Sequence, residues 1–432
     1  MDNDQRSMVL KNSQRTRRAV LKTAVVNAAA VAGAAFMPKF AKAATEIPIG
    51  VVVGLTGAGA DYGRDALRAF QLVVDRVNRS GGIRSLGGAT IKLLVADHQT
   101  DLRVASSETE RLITRENVLG ILGWAASGPA RVGSEVSERY QVPSIDTSVD
   151  YKLTERGLKY FYRAAVNTRQ TCDRGVAFVQ DMEKTHGAVV KRVVILHEDS
   201  AFGTGAGDLF EAAIKRAGSW QLVDRTAYTA ARLTEATSIV NKLKAQKVDA
   251  VFQASYPGDG ILIQRAMKQL RLNLVANVHP AGAPPNIQYI GNLKDDANYV
   301  ICTLGWTPTM AEKLPPIAKA TVDEYTKRYN VAVQDQSGYS LSAAAAMVAA
   351  LSQIKSLDRA ALWHAIDKID VTFGQDPNVI IPFGVKWDEN HDNAKSQPAV
   401  TQILNQQLVV VAPKEIAAAA PVVPPPTWDK RG

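Results

Sequence analysis

The sequence predicts an α/β fold with two doubly wound parallel sheets. Three observations carry that prediction. From residue 47 to 412, strand-like and helix-like segments alternate with short connections, the order that yields parallel sheets with helices on both faces, here twice over. The strand-like segments begin with a continuous apolar run rather than an alternating one, as burial on both faces demands. The chain, 432 residues with 46% hydrophobic and 22% charged side chains, is also long enough for two or three lobes with real cores. The same composition excludes a disordered chain, a collagen-like repeat and a disulfide scaffold. Cys172 and Cys302 are too few for a disulfide framework or a four-cysteine zinc site.

The elements follow in order. Residues 1–43 carry eight Lys/Arg against Asp2 and Asp4. Outside them, 43 basic side chains face 40 acidic ones, so most of the net +9 belongs to this leader. Arg17-Arg18 followed by Ala19-Val20-Leu21-Lys22 is a twin-arginine pattern. A mild apolar stretch from Thr23 to Met37 comes next, then Ala41-Lys42-Ala43, which fits a peptidase site before Ala44. The stretch is too short to span a bilayer. The leader therefore predicts an exported protein, with a disordered basic N-terminus as the plainer alternative.

Ile47–Val53 is an apolar strand ended by Gly54, and 62–79 places Leu67, Phe70, Val73, Val74 and Val77 on one helical face before Ser80-Gly81-Gly82 stops it. Strand 91–96, helix 102–116, strand 118–122, helix 129–140 and strand 142–146 follow. The second half repeats the scheme with helix 170–186, strand 192–197, helix 206–217, strand 221–227, helix 234–246, strand 248–253, helix 258–270 and strand 273–277. Residues 311–369 are predicted as three helices, 379–412 as strands, and 413–432, rich in Ala and Pro, as an unstructured tail.

Doubly wound sheets bind ligands beyond the carboxyl ends of their strands. The first such loop, Gly54 to Gly63, matches neither the dinucleotide fingerprint nor a phosphate-cradling loop. After the third strand, Ser127-Gly128-Pro129 reads either as a plain helix cap or as a carboxylate site, since free helix amides and a hydroxyl attract anions. The next strand ends in Asp146-Thr147-Ser148-Val149-Asp150, a polar cluster able to face the same opening. No Gly-x-Ser-x-Gly, His-Glu-x-x-His or Cys-x-x-Cys motif occurs and the six histidines are dispersed, so neither an enzyme nor a cofactor or metal is expected. Basic residues are evenly spread and seldom interleaved with aromatics, which argues against nucleic acid.

Over nearly all of 46–412 the chain resembles the Leu/Ile/Val-binding family of solute receptors that serve ABC importers. The residues carrying the resemblance include Leu55-Thr56-Gly57, Asp61-Tyr62-Gly63, Val77-Asn78-Arg79-Ser80-Gly81-Gly82-Ile83, Leu153-Thr154-Glu155-Arg156-Gly157, Tyr162-Arg163 and Trp387-Asp388-Glu389-Asn390. The resemblance implies two lobes joined by three hinge crossovers, expected near 163–166, 300–304 and 374–384. The first lobe would take 46–164 and 304–374, and the second 165–303 and 375–412. It also implies a monomer in the periplasm whose partners are a small solute and a membrane permease. A sensory receptor for an amide or urea on the same fold, or an exported enzyme, are the alternatives.

The implied ligand residues are Ser127 for a carboxylate, Tyr62 from the first loop and Tyr256 from the second lobe. Two positions depart from the family. Thr147-Ser148-Val149 stands where a small residue and a threonine are usual. His279 stands where an acid usually holds the ligand's ammonium, and no carboxylate lies between Arg271 and Asp295. Either Asp146 or Asp150 holds that ammonium, or the solute has none and His279 with Arg169 meets a second polar group. Hydrophobic amino acids and aromatic or aliphatic acids are both expected ligands. Arg169 also reads as a solvated helix-start residue, and Tyr62 and Tyr256 as lobe packing.

Overall fold

A computed structural model of the chain describes residues 45–431. The basic leader, with its twin-arginine and cleavage motifs, lies outside the described residues. Strands β1 (Glu46–Val53), β2 (Thr90–Asp97), β3 (Gly120–Trp124), β4 (Ser144–Asp146) and β5 (Phe161–Arg163) form a sheet in the order β2-β1-β3-β4-β5, all parallel. Helices α1 (Ala60–Arg79), α2 (Leu102–Thr114) and α3 (Ser127–Arg139) make its crossovers. β1 lies between β2 and β3 with Val51, Val52 and Val53 fully buried, which is why its sequence is a valine run and not an alternation. Helix α1 carries Asp61 in its first turn and Arg76 and Arg79 in its last, as the helix dipole favours.

The second sheet repeats the plan. Its strands β6 (Arg192–Glu198), β7 (Gln221–Tyr228), β8 (Ala250–Ala254), β9 (Ala276–His279) and β10 (Ile301–Leu304) lie parallel in the order β7-β6-β8-β9-β10. They are accompanied by α4 (Thr168–His186), α5 (Ala201–Ala217), α6 (Thr237–Ala245), α7 (Pro257–Gln269) and α8 (Ile287–Leu293). The chain then returns to the first sheet with α9 (Pro316–Tyr329), α10 (Asp335–Leu351) and α11 (Arg359–Asp367). The alanine-rich α10 is buried nearly all round and packs on α1 in the first core. A small ribbon of β11 (Asp370–Val371) and β12 (Val385–Lys386) follows. The hairpin β13 (Ala399–Leu404) and β14 (Gln407–Ala412) finally extends the second sheet antiparallel to β10.

Two boundaries need correction. Val379, Ile380, Ile381, Val385 and Trp387 belong to the first core, so the third passage lies after Trp387 and not at 374–384. There Asp392 grips Arg163 and Asn167, and Asn393 bonds the Ala164 carbonyl, which fastens the third passage beside the first. The second passage likewise follows β10, since Leu304 still pairs in the second sheet while Trp306 enters the first core. The expected unstructured tail forms no long element but is docked. Val423 is buried in the second core, Gln402 exchanges two bonds with the Val422 backbone, and the Trp428 indole donates to Leu272 O at 2.9 Å. Low propensity for regular structure left those apolar side chains free to find the lobe surface.

Candidate functional site

In each sheet the strand order reverses once, between β1 and β3 and between β6 and β8, and ligands of such sheets sit outside those points. A cavity lies where these loops meet, with about 450 Å³ of space free of protein atoms, part of it open to solvent. Tyr62 and residues 125–127 and 147–149 line it from the first sheet. Phe202, Tyr256, Ala281, Gly282 and Pro285 line it from the second, and Asp335, Gln336 and Tyr339 come from the first turns of α10.

One wall is built for an anion. Ala126 caps α3 without a side-chain bond, which leaves the helix's first amides unused. Ser127 is buried, and its Oγ accepts from Asp150 N at 3.3 Å. A hydroxyl that accepts one bond still has its proton to donate, here toward a carboxylate. Ala125 turns the chain with φ +61°, a left-handed backbone costing roughly 1–2 kcal/mol outside glycine. Asp146 holds that turn: its buried carboxylate accepts from the Trp124, Ala125 and Ser148 amides and the Ser148 hydroxyl. Thr147 Oγ1 accepts from Gln336 Nε2 at 2.6 Å and keeps its own proton.

The opposite wall is aromatic. Tyr256 lies with its ring centroid 6.1 Å from Tyr62 and 5.7 Å from Phe202. The Tyr62 hydroxyl donates to the Gly282 carbonyl at 2.7 Å, a bond joining α1 to the loop after β9. Gly63 makes this placement possible, because a Cβ there would sit 1.8 Å from the Gly54 carbonyl oxygen and hold α1 off the end of β1. Gly282 is equally constrained, with φ +76° and the Ser255 carbonyl 2.5 Å from any added Cβ.

The cavity therefore gathers Tyr62, Ser127, Thr147, Ser148, Val149 and Tyr256. Three expected residues do not line it. His279 is fully buried against the edge of Tyr289, neither ring nitrogen has a protein partner among the described residues, and burial pushes its pKa down to about 3. A neutral ring facing the core cannot meet a ligand charge in the cavity. Asp150 caps the turn at Tyr151–Leu153 through Lys152 N and packs against Gly205 of α5. Arg169 lies half-exposed, paired with Glu155 at 2.6 Å and stacked over Tyr151. Asp146, the other candidate for an ammonium, is spent on backbone amides.

Sequence reasoning missed Asp335, Gln336, Tyr339 and Phe202. Asp335 is buried at the start of α10, and Trp306 N donates to its Oδ1 at 3.0 Å. Burial raises its pKa to about 7, partly offset by bonds from Tyr339, Trp306 and Gly305. An acid opening the second of the three helices expected over 311–369 was the available signal. Among the described residues no cluster of His, Cys, Asp or Glu is placed to hold a metal, and no helix is long and apolar enough to cross a membrane.

Comparison with known proteins agrees with this architecture. Residues 46–406 match the model of the periplasmic binding protein family. Leu/Ile/Val-binding protein homolog 7 of Brucella abortus is 28% identical over 407 residues, covering 90% of this chain and 96% of the relative. The leucine-binding protein LivK of Thermotoga maritima superposes with a TM-score of 0.72 at 21% identity, covering 85% of this chain and 98% of that one. A solute-binding protein of an ABC transporter from Rhodopseudomonas palustris, in complex with benzoate, gives a TM-score of 0.72 at 16% identity over 89% of this chain and 99% of that one. The chain belongs to the periplasmic binding protein family, whose members are solute receptors.

Proposed function

We propose that this chain, as a member of the periplasmic binding protein family, is the extracytoplasmic receptor of an ABC importer. It traps one small carboxylate between its two lobes and delivers it to a membrane permease. The observation that carries this reading is the buried Ser127 hydroxyl beside the uncapped start of α3, inside a cavity shared by both lobes. In this reading the leader over 1–43 directs export by the twin-arginine route and is removed before Ala44, and the receptor acts as a monomer without catalysis. The ligand-binding set is Ser127, Thr147, Ser148 and Val149 on the carboxylate side, and Tyr62, Phe202 and Tyr256 around the apolar body.

Two solute classes fit. A hydrophobic amino acid is supported by the Brucella relative's name and by Asp335 in the cavity. An aromatic acid is supported by the three aromatic rings and by the benzoate held in the Rhodopseudomonas neighbour. The test is a thermal-shift screen of protein lacking residues 1–43, refolded to strip bound solute, against hydrophobic amino acids, aromatic and aliphatic acids, amides and urea. A ligand of the native state raises Tm by mass action. Stabilisation by one carboxylate class is expected, and its loss in Ser127→Ala locates the site. Stabilisation by amides or urea alone would refute the carboxylate reading.

A further inference from the structure

We propose that the seam between the lobes holds a second ligand site, for an amphiphile with one anionic head on an apolar chain. The proposal goes beyond the receptor reading, and the site shares no lining residue with the solute cavity. It is a cavity at the second passage with about 620 Å³ of space free of protein atoms, part of it open to solvent. Trp306, Met310, Leu314 and Phe373, all packed in or on the first core, form one side. Val410 of β14, with Ile416 and Ala418 of the segment that follows, forms the other.

The walls are held apart rather than left to collapse. The Thr307 and Thr309 hydroxyls both donate to the Leu408 carbonyl, at 2.9 and 2.7 Å, and so fasten the passage to β14. Ala418 N donates to Val410 O at 2.8 Å, which lays the tail segment along that strand. The Trp306 indole N–H is spent on Val333 O at 2.9 Å, so this ring offers the cavity only carbon. Protein cores close over their own residues at crystal-like density, and a fixed groove walled by carbon leaves apolar surface for a ligand to cover.

One charge stands at the rim. Lys313 is exposed and lines the cavity, and its Nζ donates to the carbonyls of Ile416 at 3.2 Å and Ala417 at 3.4 Å. These are its only hydrogen-bond partners among the described residues, and an ammonium has three donors, so one remains. Glu312 and Glu415, next in sequence to Lys313 and Ile416, do not line the cavity. The other hydroxyl of the lining, on Thr309, has already given its proton to Leu408. The site therefore presents an apolar trough with a single cation at its mouth, the complement of a medium-chain carboxylate. A zwitterion would bring a second charge that nothing in the lining meets.

The experiment is calorimetric titration of the chain lacking 1–43 with decanoate and with decanol, each below the concentration at which it aggregates. One decanoate per chain should bind here, and it should still bind in Ser127→Ala, where the solute cavity has lost its hydroxyl. Lys313→Gln should weaken decanoate at least about threefold and leave decanol unchanged. Ala418→Trp, which fills the cavity from an exposed position, should weaken both ligands at least about tenfold. No binding by the parent, loss of binding in Ser127→Ala, or equal effects of Lys313→Gln on the two ligands overturns the proposal. Full binding in Ala418→Trp does so as well. Should that variant fail to fold, Ile416→Asp, a charge placed in the apolar wall, takes its place with the same expectation. Decanoate reaches this site without Ser127, so failure here leaves the receptor reading standing, and failure of the solute screen leaves this site standing.

Discussion

The Tyr62 hydroxyl offers a direct test of lobe closure. It crosses from α1 to the loop after β9, donating to the Gly282 carbonyl at 2.7 Å, and burial pushes its pKa well up. Under the proposed capture of solute between two closing lobes, both groups would face water in an open receptor and the bond would form on closure. Tyr62→Phe keeps the ring contact with Tyr256 and removes one neutral hydrogen bond, worth about 1 kcal/mol net. It also leaves the Gly282 carbonyl without this partner inside the closed cleft, which raises the cost to about 1–3 kcal/mol. At 1.4 kcal/mol per tenfold, Kd should rise between about fivefold and a hundredfold, mainly through faster release. Calorimetry with the tightest carboxylate of the screen measures this. Thermal unfolding of the ligand-free variant should match the parent, because neither lobe's core is touched. An unchanged Kd with an unchanged melting curve would show that closure does not use this contact, and the hinge account of binding would have to be given up.

Three further outcomes follow from the packing. Asp392→Ala strips the buried Arg163 guanidinium of its carboxylate, leaving only Thr154 and the Asp150 carbonyl, and should cost about 3–5 kcal/mol in a urea melt. His279→Leu should flatten the acid limb of stability. With a folded pKa of about 3 against roughly 6.5 unfolded, the unfolded chain takes up a proton that the folded one refuses. Stability therefore falls as pH drops through that window, and from pH 7 to 4.5 the variant should lose about 2–3 kcal/mol less than the parent. Deleting residues 413–432 exposes the site of Val423 and breaks the Trp428 bonds, so calorimetry should show a loss of about 1–3 kcal/mol.

Much of the fold was legible because the information was local. Apolar runs such as Val51-Val52-Val53, glycine stops and helix faces repeating at three and four residues fix element type without reference to the rest of the chain. The third passage was misplaced for the opposite reason. Gly374 and Gly384 look like a linker, yet Val379, Ile380 and Ile381 between them are buried in the first core. Which core an apolar triplet joins depends on where the chain has already been, and spacing does not record that. The docked tail repeats the lesson, since Gln402 and Leu272 offer backbone-pairing sites that composition cannot reveal.

The candidate site divides along the same line. Ser127 and residues 147–149 could be named because strand ends in a doubly wound sheet point at one opening and each follows its strand closely in sequence, whereas Tyr62, in the first turn of α1, and Tyr256 rest on the family resemblance. His279 also ends a strand, β9, but its side chain falls on the face that packs against Tyr289, and a one-residue change of phase reverses a strand side chain's face. Asp335 belongs to neither sheet. It reaches the cavity because α10 packs on α1 and because Trp306, at the second passage, ties its carboxylate in place. An acid at a helix start is ordinarily a favourable surface charge. Only the path of the backbone between the lobes turns this one into a buried carboxylate lining the cavity, with no basic partner among the described residues.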